Sequence, residues 1–214
     1  MELVRCADAE EVATRAARAV AEVVRPGAQI CLAGGSSPMR AYELLDAMDL
    51  AWEGVDLWYG DERCVPADHP DSNHGQARAR LRAPGAVWHP MPGERGPDTG
   101  PTVYADELGS AIMTLTLLGM GPDGHTCSLF PEHPLLDATG TVAGLTDSPK
   151  PPPERITLTL PMLNASLGLL LLVTGAEKAG ALARVLDEPG RATPASLLAR
   201  DRLTILADAA ALGG

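Results

Sequence analysis

A chain of 214 residues, 45% of them hydrophobic, can bury one sizeable core and is expected to form a single domain, 1–214. Its formal charge of −11 argues against nucleic acid or an anionic membrane as the main partner, and leaves room for a small anion gripped by a few focused cations. Cys6, Cys31, Cys64 and Cys127 show no CxxC pair, and no signal peptide or bilayer-length apolar run is visible, so reduced thiols in a cytoplasmic protein are expected.

Residues 8–24 open with Asp8 and Glu11 at capping-box spacing and carry Val12, Ala16, Ala19, Val20 and Val23 on one face, which predicts a helix stopped by Pro26 and Gly27. A short strand over 29–33 then runs into Gly34, Gly35, Ser36, Ser37 and Pro38, with a helix over 39–48. Strand, glycine turn and helix is the arrangement that aims free backbone N–H groups at an anion. Taken alone, an ordinary βα turn is the slightly better reading, and the spacing is not that of a P-loop.

A second strand, 55–59, ends in Gly60, Asp61, Glu62 and Arg63, read as charged residues in the turn after the strand. A loop over 66–73 and a helix over 74–81 follow. Residues 83–102 read as a surface connection, leading to a short helix over 103–111. An apolar strand over 114–118 breaks into Gly119, Gly121, Pro122 and Gly124 around Asp123 and His125. Strands are expected over 141–145 and 155–160, irregular chain over 148–153 where prolines lack N–H donors, and a short helix from 161. The aliphatic run 168–173 predicts a buried strand that exits into a helix ending near 186, and 204–207 a last strand. The sum is an α/β chain with a largely parallel, Rossmann-like sheet flanked by helices, and ligands of such sheets bind at the strand C-terminal edge.

The chemistry gathers at that edge. Of 17 cationic residues only Lys150 and Lys178 are lysines, so each marks a place where a compact ammonium, not a planar fork, could matter. Lys178 falls in the first turn of a helix, against the dipole preference. Gly119-x-Gly121-x-x-Gly124 matches a dinucleotide fingerprint literally, but Pro122 and the following His-Thr-Cys-Ser interrupt the helix that motif requires. GxSxG is absent, and His69 and His74 lack the companions a metal site needs. What remains is a water-activating site with no metal and no cofactor. His125 serves as base, Asp123 or Asp61 orients it or completes the polar shell, and Arg63, Lys178 and backbone donors face a phosphate.

Five ordered blocks carry a resemblance: LAGGSSPMRAYELL (32–45), WYGDERCVPADHPDSN (58–73), LLGMGPDGHTCSLFPEHP (117–134), SPKPPPERITLTLPMLN (148–164) and VTGAEKAGALARVL (173–186). Through them the chain resembles the 6-phosphogluconolactonases, which belong to the ribose-5-phosphate isomerase/glucosamine-6-phosphate deaminase fold group. The resemblance implies hydrolysis of 6-phospho-D-glucono-1,5-lactone in the oxidative pentose phosphate pathway. By motif, it makes His125 the base with Asp123 and Asp61 beside it. It puts Gly34, Gly35, Ser36, Ser37, Arg63, Gly124 and Lys178 in the substrate and phosphate grip, with Arg155 either joining them or bracing its own loop. The implied partner is a sugar-phosphate lactone, the implied state a monomer with a weak homo-oligomer as alternative. The chain is short for that family around 83–111, and Cys127 stands where a small residue such as alanine is usual, read as a small buried group and not a nucleophile.

Two rivals remain. The deaminases share the DE and DGH elements, but they carry tyrosine where this chain has Arg63 and a catalytic glutamate where it has Phe130. A sugar-phosphate-binding regulator would need a DNA-binding segment, whereas the N-terminus reads as a single helix leading straight into the first strand.

Overall fold

The computed structural model describes all 214 residues. Seven strands make one wholly parallel sheet in the order β1 (Glu2–Cys6), β10 (Leu203–Asp208), β9 (Leu169–Val173), β6 (Leu115–Gly119), β2 (Gln29–Leu32), β3 (Asp56–Tyr59), β5 (Val87–Trp88). Every residue of β9 is buried, as befits a strand covered on both faces, and this is why it reads as an unbroken aliphatic run. The helices are α1 (Ala9–Val23), α2 (Ser36–Asp46), α3 (Asn73–Arg78), α4 (Gly96–Leu108), α5 (Leu160–Asn164) and α6 (Ala179–Leu186). The cap on α1 forms as its spacing predicts: the Asp8 carboxylate accepts from the Glu11 amide at 2.9 Å, and Glu11 reaches back to the Ala7 amide at 2.7 Å.

Chain order and sheet order together locate a crevice. From β2 the chain proceeds outward through β3 to β5; from β6 it proceeds the other way through β9 to β10. Strands β2 and β6 are neighbours, so the loops leaving their C-terminal ends diverge there, and the topological switch point opens between them. The loop after β2 is 33–35, running straight into α2, and the loop after β6 is 120–126. The two glycine-rich breaks in the sequence therefore face each other.

Three sequence expectations need correction. The N-terminal helix is not the first element: β1 precedes it and pairs with β10 at the sheet edge. Asp61, Glu62 and Arg63 are not a turn. They form β4 (Asp61–Arg63), which with β8 (Arg155–Leu158) and β7 (Val142–Leu145) makes a second, antiparallel sheet of three strands. The 83–102 stretch is not all connection, because α4 begins at Gly96, with Pro97 in its first turn and Pro101 accommodated inside it. That helix packs on β7 and β8 and so covers the small sheet. One contiguous cluster of 53 buried apolar residues runs through both sheets, so no boundary divides the chain.

Candidate active site

A cavity of about 270 Å³ occupies the switch point, between the loops after β2 and β6 and the inner edge of β4. Strand alternation explains what β4 contributes. Asp61 and Arg63 point into the cavity, and Glu62, between them, points the other way.

At one end the chain bends back on itself after β6. The Gly121 amide donates to the His125 carbonyl (2.9 Å), the Gly124 amide to the Gly121 carbonyl (2.9 Å), and the Thr126 hydroxyl to the Gly119 carbonyl (2.9 Å). A Cβ on Gly121 would run into the His125 ring, and Gly124 has φ +90°, so both positions need glycine for stated reasons. This turn brings Asp123 Oδ1 to 2.6 Å from His125 Nδ1. A carboxylate at that distance accepts the hydrogen bond of Nδ1–H, which leaves Nε2 with its lone pair free. Burial lowers the His125 pKa below the ordinary value, the Asp123 contact opposes this, and the nearby Lys150 charge adds to the lowering. The imidazole is therefore neutral at pH 7. For Asp123, burial pushes upward, but His125 and Lys150 outweigh it and the carboxyl ends below its usual range. The ring of Phe130 lies against the imidazole, centroids 4.9 Å apart.

Another part of the lining is built of donors. Helix α2 starts after Gly35, which has φ +101° and no side chain to cap it. The first helical bond is from the Met39 amide to the Gly35 carbonyl, Pro38 has no N–H, and the amides of Ser36 and Ser37 are left over. The Ser37 hydroxyl pairs with that of Thr174 at 2.7 Å. Arg63 spends one nitrogen on the Asp71 carbonyl (2.7 Å) and on Asn73 Oδ1 (2.8 Å), while its Nε is buried with no partner at all. The Arg63 side chain lines the same cavity as the free Ser36 and Ser37 amides, a combination of charge and backbone donors suited to an oxyanion. Lys178, its side chain 18% exposed, closes the far side, and burial lowers its pKa below the ordinary lysine value.

Most of the residues expected from sequence converge here. Gly34, Gly35, Ser36, Ser37, Asp61, Arg63, His125, Arg155 and Lys178 all line the cavity, and Asp123 backs His125. Three placements sharpen the expectation. Asp61 does not touch the imidazole: its oxygens accept from Ser128 Oγ (2.7 Å) and Asn73 Nδ2 (3.2 Å), so of the two aspartates only Asp123 contacts the His125 ring. Arg155, 5% exposed, directs its guanidinium to the carbonyls of Lys150, Pro151 and Pro152 at 3.1–3.2 Å, which makes it a brace for its own loop. Gly124 stands outside the cavity wall, packed on Thr193. Cys127 lines the cavity with its thiol pushed up by burial, hence protonated.

Sequence reasoning missed two participants. Lys150 places Nζ 3.2 Å from His125 Nδ1 and 3.5 Å from Asp123 Oδ1. Its rarity in an arginine-rich chain marks it, but nothing in the sequence places it beside His125. Asn73 links Arg63 to Asp61, and a Cβ on Gly34 would strike its amide; an asparagine at a helix start carries no such signal. Glu62 fixes Asn73 in place. Its carboxylate, 2% exposed, accepts the amides of Arg63 (2.8 Å), Asn73 (2.7 Å) and His74 (2.9 Å) and the Ser72 hydroxyl (3.0 Å). No three His, Cys, Asp or Glu side chains converge as metal ligands, and no helix is long and apolar enough to cross a membrane.

Known proteins share this sequence and fold. The human 6-phosphogluconolactonase is 40% identical over 209 residues, covering 84% of this chain and 81% of that one. The crystal structure of a 6-phosphogluconolactonase from Trypanosoma brucei superimposes with a TM-score of 0.86 at 25% identity, over 99% of this chain and 97% of that one. A monomeric glucosamine-6-phosphate deaminase superimposes with a TM-score of 0.88 over 100% of this chain and 99% of that one; at 23% identity it shows the fold alone. The family model of glucosamine-6-phosphate isomerases/6-phosphogluconolactonase matches residues 4–206, and the chain belongs to that family.

Proposed function

We propose that this chain, acting as one domain over residues 1–214, hydrolyses 6-phospho-D-glucono-1,5-lactone to 6-phospho-D-gluconate as a step of the oxidative pentose phosphate pathway. The observation that carries the reading is the make-up of one cavity, whose lining joins an imidazole held by Asp123 to the free Ser36 and Ser37 amides and the Arg63 and Lys178 cations. The substrate phosphate sits on the Ser36 and Ser37 amides with the Arg63 and Lys178 side chains, which holds the lactone carbonyl beside His125. Nε2 of His125 takes a proton from water as the water oxygen bonds to the carbonyl carbon. The tetrahedral oxyanion then re-forms the carbonyl, the ring C–O bond breaks, and the departing ring oxygen takes the proton back from His125. Positioned general-base catalysis of this kind contributes roughly 10²–10⁴-fold. The scheme uses no metal or organic cofactor and fits a cytoplasmic enzyme acting on a small anion, without nucleic acid or membrane.

The deaminase reading is weaker here, because position 130 presents an apolar ring to the imidazole where that chemistry uses a carboxylate. The test is proton release on freshly generated 6-phosphogluconolactone at neutral pH, with spontaneous hydrolysis subtracted. Wild type is expected to accelerate the reaction, and His125→Ala to lose that acceleration while keeping its circular dichroism spectrum. Wild type running at background would overturn the activity. A fully active His125→Ala would keep the activity and discard the base.

A further inference from the structure

The chain contains two lysines, and both line this one cavity. Lys178 stands with the oxyanion cradle. Lys150 stands at the His125–Asp123 pair, and the loop that carries it is braced by side-chain hydrogen bonds. The Ser148 hydroxyl donates to the Lys150 carbonyl at 2.8 Å and accepts from the Lys150 amide at 3.2 Å. The buried Arg155 guanidinium takes up the carbonyls of three successive residues, 150 to 152. The product of that bracing is one ammonium delivered to the His125–Asp123 pair.

Its position is odd for a simple general-base site. His125 Nδ1 already donates to Asp123 at 2.6 Å, so it does not accept from Lys150, and the ammonium engages only Asp123 Oδ1, at 3.5 Å. The remaining N–H groups are unspent, and the side chain is 38% exposed to the cavity. A cation so close also disfavours the imidazolium that forms when His125 takes a proton. That repulsion is offset only if the same cation meets negative charge created in the same step. Attack by water creates it, on the carbonyl oxygen.

Resting on the lactonase reading, we propose that Lys150 is a catalytic residue whose ammonium binds the lactone carbonyl oxygen and stabilises it as it becomes the tetrahedral oxyanion. One bond forms between the water oxygen and the carbonyl carbon, and the carbonyl π pair moves to the oxygen facing Nζ. The pair returns when the ring C–O bond breaks. Lys150 keeps its protons throughout, and His125 alone transfers one.

The experiment compares wild type, Lys150→Met and Lys150→Gln for kcat and KM on the lactone, for the affinity of inorganic phosphate, and for the His125 imidazole titration followed by NMR. Both variants are expected to lose about 10²–10³-fold in kcat, in the range seen when one oxyanion donor is removed. KM and the phosphate affinity are expected to stay within about threefold, because the cradle is separate. The His125 midpoint is expected to rise in both, as a neighbouring cation has gone. Unchanged kcat in a folded variant would overturn the proposal, as would a loss confined to KM with a matching loss of phosphate affinity, which makes Lys150 a phosphate ligand. If Lys150→Met does not fold, Lys150→Gln decides. A wild type without lactonase activity removes the reading and the proposal together, whereas active wild type with equally active variants removes the proposal alone.

Discussion

Replacing Glu62 by glutamine probes how the cradle is held, because the change is isosteric and the hydrogen-bond count around it is complete. Oε1 accepts two backbone amides, those of Arg63 and Asn73; Oε2 accepts the His74 amide and the Ser72 hydroxyl. In Glu62→Gln one of these oxygens becomes an NH₂ group that faces donors. The cheaper orientation puts it at the Oε2 position, where the hydroxyl can turn but the His74 N–H loses its only acceptor. An unpaired buried amide costs about 1–3 kcal/mol, and the surviving bonds, no longer to a charge, weaken by about 1 kcal/mol more. The expected destabilisation is about 2–4 kcal/mol, read by urea denaturation with the slope unchanged. Asn73 then loses its anchor, and with it Arg63 its partner, so KM for the phosphorylated lactone is expected to rise about tenfold or more while kcat changes less. Amide exchange of Asn73 and His74 separates local release of the loop from global unfolding. A variant within 0.5 kcal/mol of wild type, by the usual error of such measurements, with KM unchanged, would refute the argument.

Two further outcomes follow from the same geometry. Arg63→Ala is expected to raise KM for 6-phosphogluconolactone by at least about tenfold, the loss of one charge-assisted contact, and to leave hydrolysis of the unphosphorylated lactone unaffected; equal losses on both substrates would remove Arg63 from the phosphate grip. In the free protein, the His125 imidazole is expected to titrate below its ordinary value of about 6.5, because burial disfavours the charged form. With the folded pKa depressed, the neutral base persists at pH 7 and is lost as pH falls through that lowered midpoint, and the associated stability is lost in the same direction. A midpoint at or above the ordinary value would contradict the burial argument.

Much of this site could be read without coordinates, for local reasons. The α1 cap, the aliphatic β9 and the two glycine breaks are features of five to fifteen consecutive residues, and helical period, burial on both faces and the backbone freedom of glycine act over that range. The Asp123–His125 pair is local too, since a turn two residues wide brings them together. What local pattern could not supply was pairing. Strand β1 alternates weakly because it lies at an edge, and β4 is a strand only because β8, more than ninety residues later, pairs with it. That pairing turns Asp61 and Arg63 inward and Glu62 outward, which nothing in the tripeptide foretells. The α4 start was hidden by Gly96, Pro97 and Pro101, residues whose low helix propensity is overridden by packing on the small sheet.

The sequence by itself determined the fold class and the sheet edge where His125 and the two glycine-rich breaks gather, because each follows from short-range periodicity and turn chemistry. Only the tertiary structure decided which aspartate orients His125, that Arg155 braces a loop, and that both lysines meet in one cavity. Lys150 reaches His125 from 25 residues away and β4 meets β8 across more than ninety, because the two sheets close on a shared core; the Asp123 and Arg155 contacts span only two to five residues, but the fold sets the loops that make them.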